Sequence, residues 1–444
     1  MDALLRRPAA AVVIGFAAAV AVGTFLLMLP IATEDGSAAG LVTALFTAVS
    51  AVCVTGLVVV DTATFLSTFG ELAVLGMIQV GGIGIMTLAT LLGLLIARRV
   101  GLRLQLTAQA ETKALGLGEV RLVVVRILAT SAIIESVTAL LLTARFAVFY
   151  AEPPGRAVYL GVFHAVSAFN NAGFALFTDN MIRFATDPWI CLPLGLATVL
   201  GGLGFPVLFE LGRRLRGRTT RWSLHLRITV ITYAVLFVVG VAAFLLGEWT
   251  NPATLGPVDV GGKIVIGVFH GIQPRTAGFN SVDVGRLDPS TLLITDVLMF
   301  IGGGSAGTAG GIKVTTFALL AFVMLAEVRG EPTVHVLGRR LPVGIQRQAL
   351  TVALAAVGLV MVSTLTLLEI SSFGLDAVLF ETVSAFATVG LSTGITAALP
   401  VPGQLVLAAL MFLGRLGPVT LASALALREH ERRYELPEER TIVG

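Results

Sequence analysis

Eight apolar runs, near 9–32, 71–97, 126–150, 187–211, 226–247, 290–326, 348–370 and 402–427, are each long enough for a helix to cross about 30 Å of hydrocarbon. Such a chain has few options, because only helices and closed barrels satisfy their backbone polar groups in lipid. With 56% hydrophobic and 13% charged residues among 444, it departs from soluble usage and reads as an all-α polytopic membrane protein. Four shorter apolar stretches, near 41–54, 158–170, 262–273 and 376–387, fall between the long runs. Each is about a dozen residues, too short to cross, and is expected to form a re-entrant half-helix. The N-terminal run opens with basic residues as a signal peptide does. Its apolar stretch is about twice the length of an h-region and lacks a clear cleavage site, so it is expected to stay as the first helix.

Arginine clusters orient the spans. Arg6 and Arg7 open the chain, "ARRVGLRLQ" (97–105), "RRLRGRTTRW" (213–222) and "GRRLPVGIQRQ" (338–348) follow every second span, and "REHERRYELPEER" (428–440) closes it. Under the positive-inside rule these segments and both termini are cytoplasmic, in the cytoplasmic (inner) membrane. The opposite connections carry Glu34, Asp35, Asp61, Asp179, Asp187, Asp259, Asp283 and Asp288, and all four half-helices dip in from that outer side. The net charge of +3 hides this asymmetry and gives no reason to expect a nucleic-acid partner; the basic face suits membrane lipid. The two cysteines, Cys53 and Cys191, sit in apolar segments and imply no disulfide framework.

One phrase recurs. "FTAVSAVCVTGLVVVD" from Phe46, "FHAVSAFNNAGFALFTD" from Phe163, "FHGIQPRTAGFNSVD" from Phe269 and "FETVSAFATVGLSTG" from Phe380 align on Gly56, Gly173, Gly278 and Gly390. Ser50, Ser167 and Ser384 stand six residues before the glycine, whereas the third copy has Ile272 there and adds Pro274. A second phrase follows in each copy: "IQVGGIGIM" (78–86), "TVLGGLGFP" (198–206), "MFIGGGSAG" (299–307) and "MFLGRLGPV" (411–419). The unit is helix, half-helix, glycine loop, helix, over 1–105, 106–222, 223–340 and 341–444. Four tandem units of one orientation predict parallel repeats around an axis along the membrane normal, with a pseudo-fourfold central pore.

Repetition of a glycine loop has a chemical purpose. A cation crossing hydrocarbon needs a substitute hydration shell, and backbone carbonyls from several loops can supply it. Glycine readily takes the positive φ that turns successive carbonyls toward an axis, and the C-terminal end of each half-helix adds negative partial charge. The expected ion-binding residues are Val54, Thr55 and Gly56; Asn171, Ala172 and Gly173; Thr276, Ala277 and Gly278; and Thr388, Val389 and Gly390. Any single one of these glycines would pass for an ordinary turn residue, but four at matched positions point to a shared site.

With these residues the chain closely resembles the Trk/Ktr/HKT superfamily of potassium transporters, over essentially its whole length. "VCVTGL", "FNNAGF", "PRTAGFN" and "FATVGLSTG" resemble that family's four filter segments, and "GGGSAGTAGGIK" resembles its third-repeat gating loop. Trk-type members usually carry two further N-terminal spans, so the chain looks like the shorter Ktr-type membrane subunit. The resemblance implies a selectivity filter for potassium, since Gly56 is intact where a serine accompanies sodium permeation in plant-type relatives. It further implies a homodimer and a cytoplasmic ring of nucleotide-binding regulatory subunits. Sodium stays open as an activator, and no organic cofactor is expected in this chain.

Between Gly302 and Lys313 six of twelve residues are glycine, at about 1 kcal/mol each against helix continuity. The segment Gly302, Gly303, Gly304, Ser305, Ala306, Gly307, Thr308, Ala309, Gly310, Gly311 up to Lys313 therefore reads as a flexible intramembrane gate at 302–313. Lys313 and Arg415 are ionisable at membrane depth, which is costly and points to function, although either could snorkel to the interface. The resemblance assigns Arg415 to contact the gating loop.

Other motifs lead nowhere. Gly302, Gly304 and Gly307 spell GxGxxG without a preceding strand, and Ile312 breaks the P-loop pattern before Lys313. Ser305 has no evident base for a hydrolytic role, so no enzyme is expected. His164, His225, His270, His335 and His430 show no ligand spacing, and Glu135, Asp296 and Glu369 are expected to be paired or interfacial. The reading is a gated, channel-like potassium uptake subunit; a sodium- or proton-coupled symporter using the same loops is the alternative.

Overall fold

The computed structural model describes residues 8–105, 117–217 and 222–427. The basic terminal segments used for orientation, at 6–7 and 428–440, lie outside the described residues. The first quarter holds α1 (Pro8–Leu27), α2 (Leu41–Val52), the single turn α3 (Thr62–Phe65) and α4 (Thr68–Gln105). The second holds α5 (Leu117–Val148), α6 (Pro154–Phe169), α7 (Pro188–Leu203) and α8 (Phe205–Leu215). The third holds α9 (Leu224–Glu248), α10 (Val260–Ile272), α11 (Pro289–Phe300) and α12 (Val314–Val328), and the fourth α13 (Val343–Ile370), α14 (Leu375–Ala387) and α15 (Val401–Leu427).

The half-helices α2, α6, α10 and α14 run for 12, 16, 13 and 13 residues. At 1.5 Å per residue that is about 18–24 Å, short of a crossing. Several acidic residues expected on the outer face prove to be helix caps. Asp259 accepts the Gly261 and Gly262 N–H groups at 3.0 and 3.3 Å to start α10, and Asp187 accepts that of Trp189 at 2.9 Å to start α7. Such caps satisfy donors that a helix start leaves orphaned.

Thr68–Thr90, Arg121–Val148, Leu224–Glu248 and Val343–Ile370 are each long and apolar enough to cross a membrane. Only 22% of the apolar window in Arg121–Val148 is buried, and Ile133, Val137, Leu140 and Leu141 lie bare on it. A surface of that kind suits hydrocarbon.

Three runs read as spans depart from straight helices. The 187–211 run breaks at Gly204, where α7 and α8 meet at 105°. Gly204 takes φ +91, and Pro206, one residue into α8, has no N–H to continue the ladder. The 290–326 run is interrupted between α11 and α12, as the glycine content predicts. The 9–32 run ends as a helix at Leu27 and leaves through a 3-10 turn, Pro30–Ala32. A two-residue antiparallel ladder, β1 (His335–Val336) with β2 (Arg339–Arg340), also forms at the start of the basic 338–348 cluster. Leu337 and Gly338 turn it at φ +49 and +81.

Candidate functional site

The four glycine loops leave their half-helices by one route. The residue before each glycine returns its N–H toward the half-helix: Thr55 to Ser50 O at 2.8 Å, Ala172 to Ser167 O at 2.8 Å, Val389 to Ser384 O at 2.9 Å and Ala277 to Gln273 O at 3.0 Å. The recurring serine adds a side-chain anchor, since Ser50 Oγ accepts the Gly56 N–H and Ser384 Oγ the Gly390 N–H, both at 3.1 Å. Ser167 instead donates to Phe174 O at 2.8 Å. In the divergent third copy Gln273 substitutes, its Oε1 accepting the Phe279 N–H at 3.1 Å.

Each loop contains two left-handed residues. The glycines take φ +92, +68, +76 and +96 at 56, 173, 278 and 390, as expected. Two positions earlier Val54, Asn171, Thr276 and Thr388 also take φ +56, +62, +70 and +50, which the sequence does not announce. Asparagine tolerates that region, but a β-branched residue there is an outlier that surrounding contacts must impose.

The loops form a closed circle. A Cβ built on Gly56 would stand 2.3 Å from Ala172 O, one on Gly173 2.7 Å from Ala277 O, one on Gly278 2.3 Å from Val389 O, and one on Gly390 2.2 Å from Thr55 O. Each glycine thus abuts the central carbonyl of the next quarter, and the fourth returns to the first. Outside the ring lies a cavity of about 370 Å³, walled by Gly56, Gly173 and Gly390 and by Asp61, Asn180 and Asp283.

The second repeated phrase braces this ring. A Cβ on Gly81 would fall 1.9 Å from Val52 O, on Gly201 1.9 Å from Phe169 O, and on Gly414 1.8 Å from Phe386 O. In three quarters the same glycine therefore lets the following helix touch the end of the half-helix, four residues before the loop glycine. In the third quarter Gly302 contacts Gly310 O of its own loop instead, at 2.0 Å for the added Cβ.

The 302–313 segment is non-helical and packed inside the protein. Its ends pair with each other, Gly302 N–H to Ile312 O at 2.8 Å and Val314 N–H to Gly303 O at 3.0 Å. Its middle docks on the second quarter, where Gly304 N–H reaches Gly202 O at 2.8 Å and Thr308 N–H reaches Gly201 O at 3.1 Å. Thr308 is the hub. Its hydroxyl meets the Asn171 side-chain amide at 3.0 Å, and the amide orientation that also donates to Phe169 O and Thr198 O satisfies that side chain. Arg415 Nη1 donates to the Thr308 carbonyl, and Lys313 Nζ to that of Ala309. Gly310 lies against Thr388 and Ala387 of the fourth loop. The break at Gly204 belongs to the same site, for Phe205 N–H reaches Ala306 O at 3.3 Å and a Cβ on Gly204 would meet Ser305 O at 2.3 Å.

Other singled-out groups lie elsewhere. Ser305 Oγ pairs with Thr315 Oγ1 at 2.9 Å. His164 is held by Leu160 O and the Leu176 N–H, and His270 stacks on Phe244. Glu369 is exposed near the end of α13. Glu135 is buried and accepts from the Gln79 amide at 3.0 and 3.1 Å and from Asn170 at 3.3 Å. Asp296 is buried with no partner for Oδ1 among the described residues. Sequence reasoning passed over Gly204 and Arg275. Gly-Phe-Pro could have signalled the first, and an arginine inside an apolar half-helix phrase the second.

The chain as a whole is similar to known transport proteins. The family model TrkH, described as a cation transport protein, matches residues 9–433. The chain is 36% identical over 438 residues to the Ktr system potassium uptake protein B of Bacillus subtilis (strain 168), covering 98% of this chain and 97% of that one. It is 37% identical over 421 residues to the protein of the same name from Vibrio alginolyticus, covering 94% and 91%. It is 30% identical over 443 residues to the potassium/sodium uptake protein NtpJ of Enterococcus hirae, covering 98% and 97%. Among solved structures, the potassium transporter TrkH from Vibrio parahaemolyticus superposes with a TM-score of 0.72 at 18% identity, over 92% of this chain and 82% of that one, a likeness of fold.

Proposed function

Since the chain belongs to the TrkH family of cation transport proteins, we propose that it takes up potassium across the cytoplasmic membrane through a channel-like path whose filter is the ring of four glycine loops. It is a multi-pass membrane protein and a potassium uptake transporter of the Ktr/TrkH kind. The observation that carries the filter reading is the cyclic contact of Gly56, Gly173, Gly278 and Gly390 with Ala172, Ala277, Val389 and Thr55. Carbonyls held in one ring by rigid neighbours can replace the water around a dehydrated ion without collapsing on a smaller one.

The 302–313 loop acts as the gate. Its support is the docking on Gly201, Gly202, Asn171 and Arg415, which holds a glycine-rich segment against the inner side of the ring by a few hydrogen bonds. Each neutral bond contributes about 1 kcal/mol and the one from the Arg415 guanidinium about 2, so a pull of several kcal/mol from a cytoplasmic partner suffices to release it. The relatives' names speak of a "Ktr system", which favours a multi-component transporter. In this reading the partner is a nucleotide-binding regulatory ring on the arginine-rich face, and the membrane subunit works as a homodimer with both termini cytoplasmic. The functional quarters are 1–105, 106–222, 223–340 and 341–444.

The test is radiolabelled rubidium uptake into proteoliposomes holding the purified protein, driven by a potassium gradient alone. Flux that follows that gradient in sodium-free buffer at equal pH is expected. The name of the Enterococcus hirae relative favours one second reading, in which sodium is coupled or activates. Uptake that vanishes without a sodium gradient would replace the channel-like mechanism by symport.

A further inference from the structure

The third quarter is the one whose following helix stops short of the ring. In the other three, Gly81, Gly201 and Gly414 press that helix on Val52, Phe169 and Phe386 at the half-helix end. In the third, α11 ends at Phe300, and a Cβ on Gly302 would meet Gly310 and Gly311 of the 302–313 loop instead of a half-helix end. Pro274 and Ile272 also remove the serine anchor there. The third loop nevertheless keeps the same left-handed pair, φ +70 at Thr276 and +76 at Gly278. Gln273 takes over the anchor through the Phe279 N–H at 3.1 Å, but the brace from the following helix still has to be replaced.

That support comes from the preceding helix, α9. Arg275, in the loop itself and 1% exposed, donates from Nη1 to Tyr233 O at 3.2 Å and lies 4.6 Å from the Tyr233 ring centroid. At the other end of α10, Lys263 donates to Trp249 O at 2.8 Å and lies 4.8 Å from the Trp249 ring centroid. Both ends of the third half-helix are thus gripped by a cation that takes an aromatic residue's carbonyl and sits over the same residue's ring. Between them Gly271 lies so close to α9 that an added Cβ would stand 3.0 Å from Val241 N. A buried arginine whose Nε and Nη2 find no partner among the described residues is expensive for packing alone.

We propose that Arg275 is a positioning residue for ion selectivity: with Lys263 it anchors the third filter loop to α9 in place of the missing brace, so that the gate can move without disturbing the carbonyl ring. This rests on the filter and gate reading above. It explains why the one quarter that carries the gate is also the one whose half-helix has diverged. A loop that both gated and braced would change selectivity each time it opened.

The experiment measures rubidium and sodium flux through reconstituted protein for Arg275→Met, Arg275→Lys and Lys263→Met. Arg275→Met is expected to lower the rubidium-to-sodium ratio about tenfold, the scale of one lost charged hydrogen bond at the ring. Arg275→Lys, which keeps the cation and a donor, should recover part of it. Deleting 305–307 in the parent should raise flux at an unchanged ratio, whereas the same deletion with Arg275→Met should lower the ratio further. Should Arg275→Met not reconstitute as a monodisperse protein, a ratio in Lys263→Met within twofold of the parent overturns the proposal. The same result in Arg275→Met overturns it directly. Gly278→Ser in parallel separates the two failures: if it too leaves the ratio unchanged, the filter reading itself is wrong.

Discussion

Replacing Gly278 by serine tests the ring most sharply. The residue sits at φ +76, where an L side chain costs about 1 kcal/mol. Its Cβ would arrive 2.3 Å from Val389 O and 3.1 Å from the Gly390 Cα, both backbone atoms. To reach even 3.0 Å the Val389 carbonyl must retreat by about 0.7 Å, and the fourth quarter yields although the change is in the third. A filter discriminates between alkali ions through the placement of its oxygens, and about 1.4 kcal/mol of lost discrimination is a tenfold change in ratio. The rubidium-to-sodium flux ratio in proteoliposomes is therefore expected to fall at least tenfold, mainly through faster sodium flux. Gly358→Ser is the control, since an added Cβ there meets nothing within 4 Å. A Gly278→Ser protein that stays monodisperse and keeps the parental ratio would refute the ring argument. The effect should be weaker at Gly173, whose Cβ would lie 2.7 Å from the facing Ala277 oxygen.

Three further perturbations separate gate, brace and ring. Thr308→Val removes the hydroxyl bonded to Asn171 while keeping shape, and should raise basal rubidium flux about fivefold, the equivalent of one hydrogen bond of about 1 kcal/mol; unchanged flux would place the latch elsewhere. Gly204→Ala forces a side chain at φ +91 against Ser305 O, so basal flux should rise with the ion ratio unchanged. Gly212→Ala, with open space around it, should do nothing in the same assay. Gly414→Ala would put a methyl 1.8 Å from Phe386 O and should lower the melting temperature in detergent by roughly 2–6 °C, the scale of overpacking between helices, as read by differential scanning fluorimetry.

Hydrocarbon thickness and glycine chemistry act locally, and whatever they govern was written in the sequence. The bilayer-length runs, the four half-helices, the loop glycines at matched positions and the break before Lys313 all follow from counting apolar residues and glycines along the chain. What only the tertiary structure decided are contacts between distant segments. Gly390 abuts Thr55 and Arg275 grips Tyr233, and the contact of Arg415 with the gating loop, assigned to it by resemblance, falls on Thr308. No local pattern encodes such pairings. The left-handed turn at Val54, Thr276 and Thr388 runs against their own preferences, and such a turn persists only where surrounding contacts impose it. The bend at Gly204 is likewise settled by the loop from the next quarter that fills it.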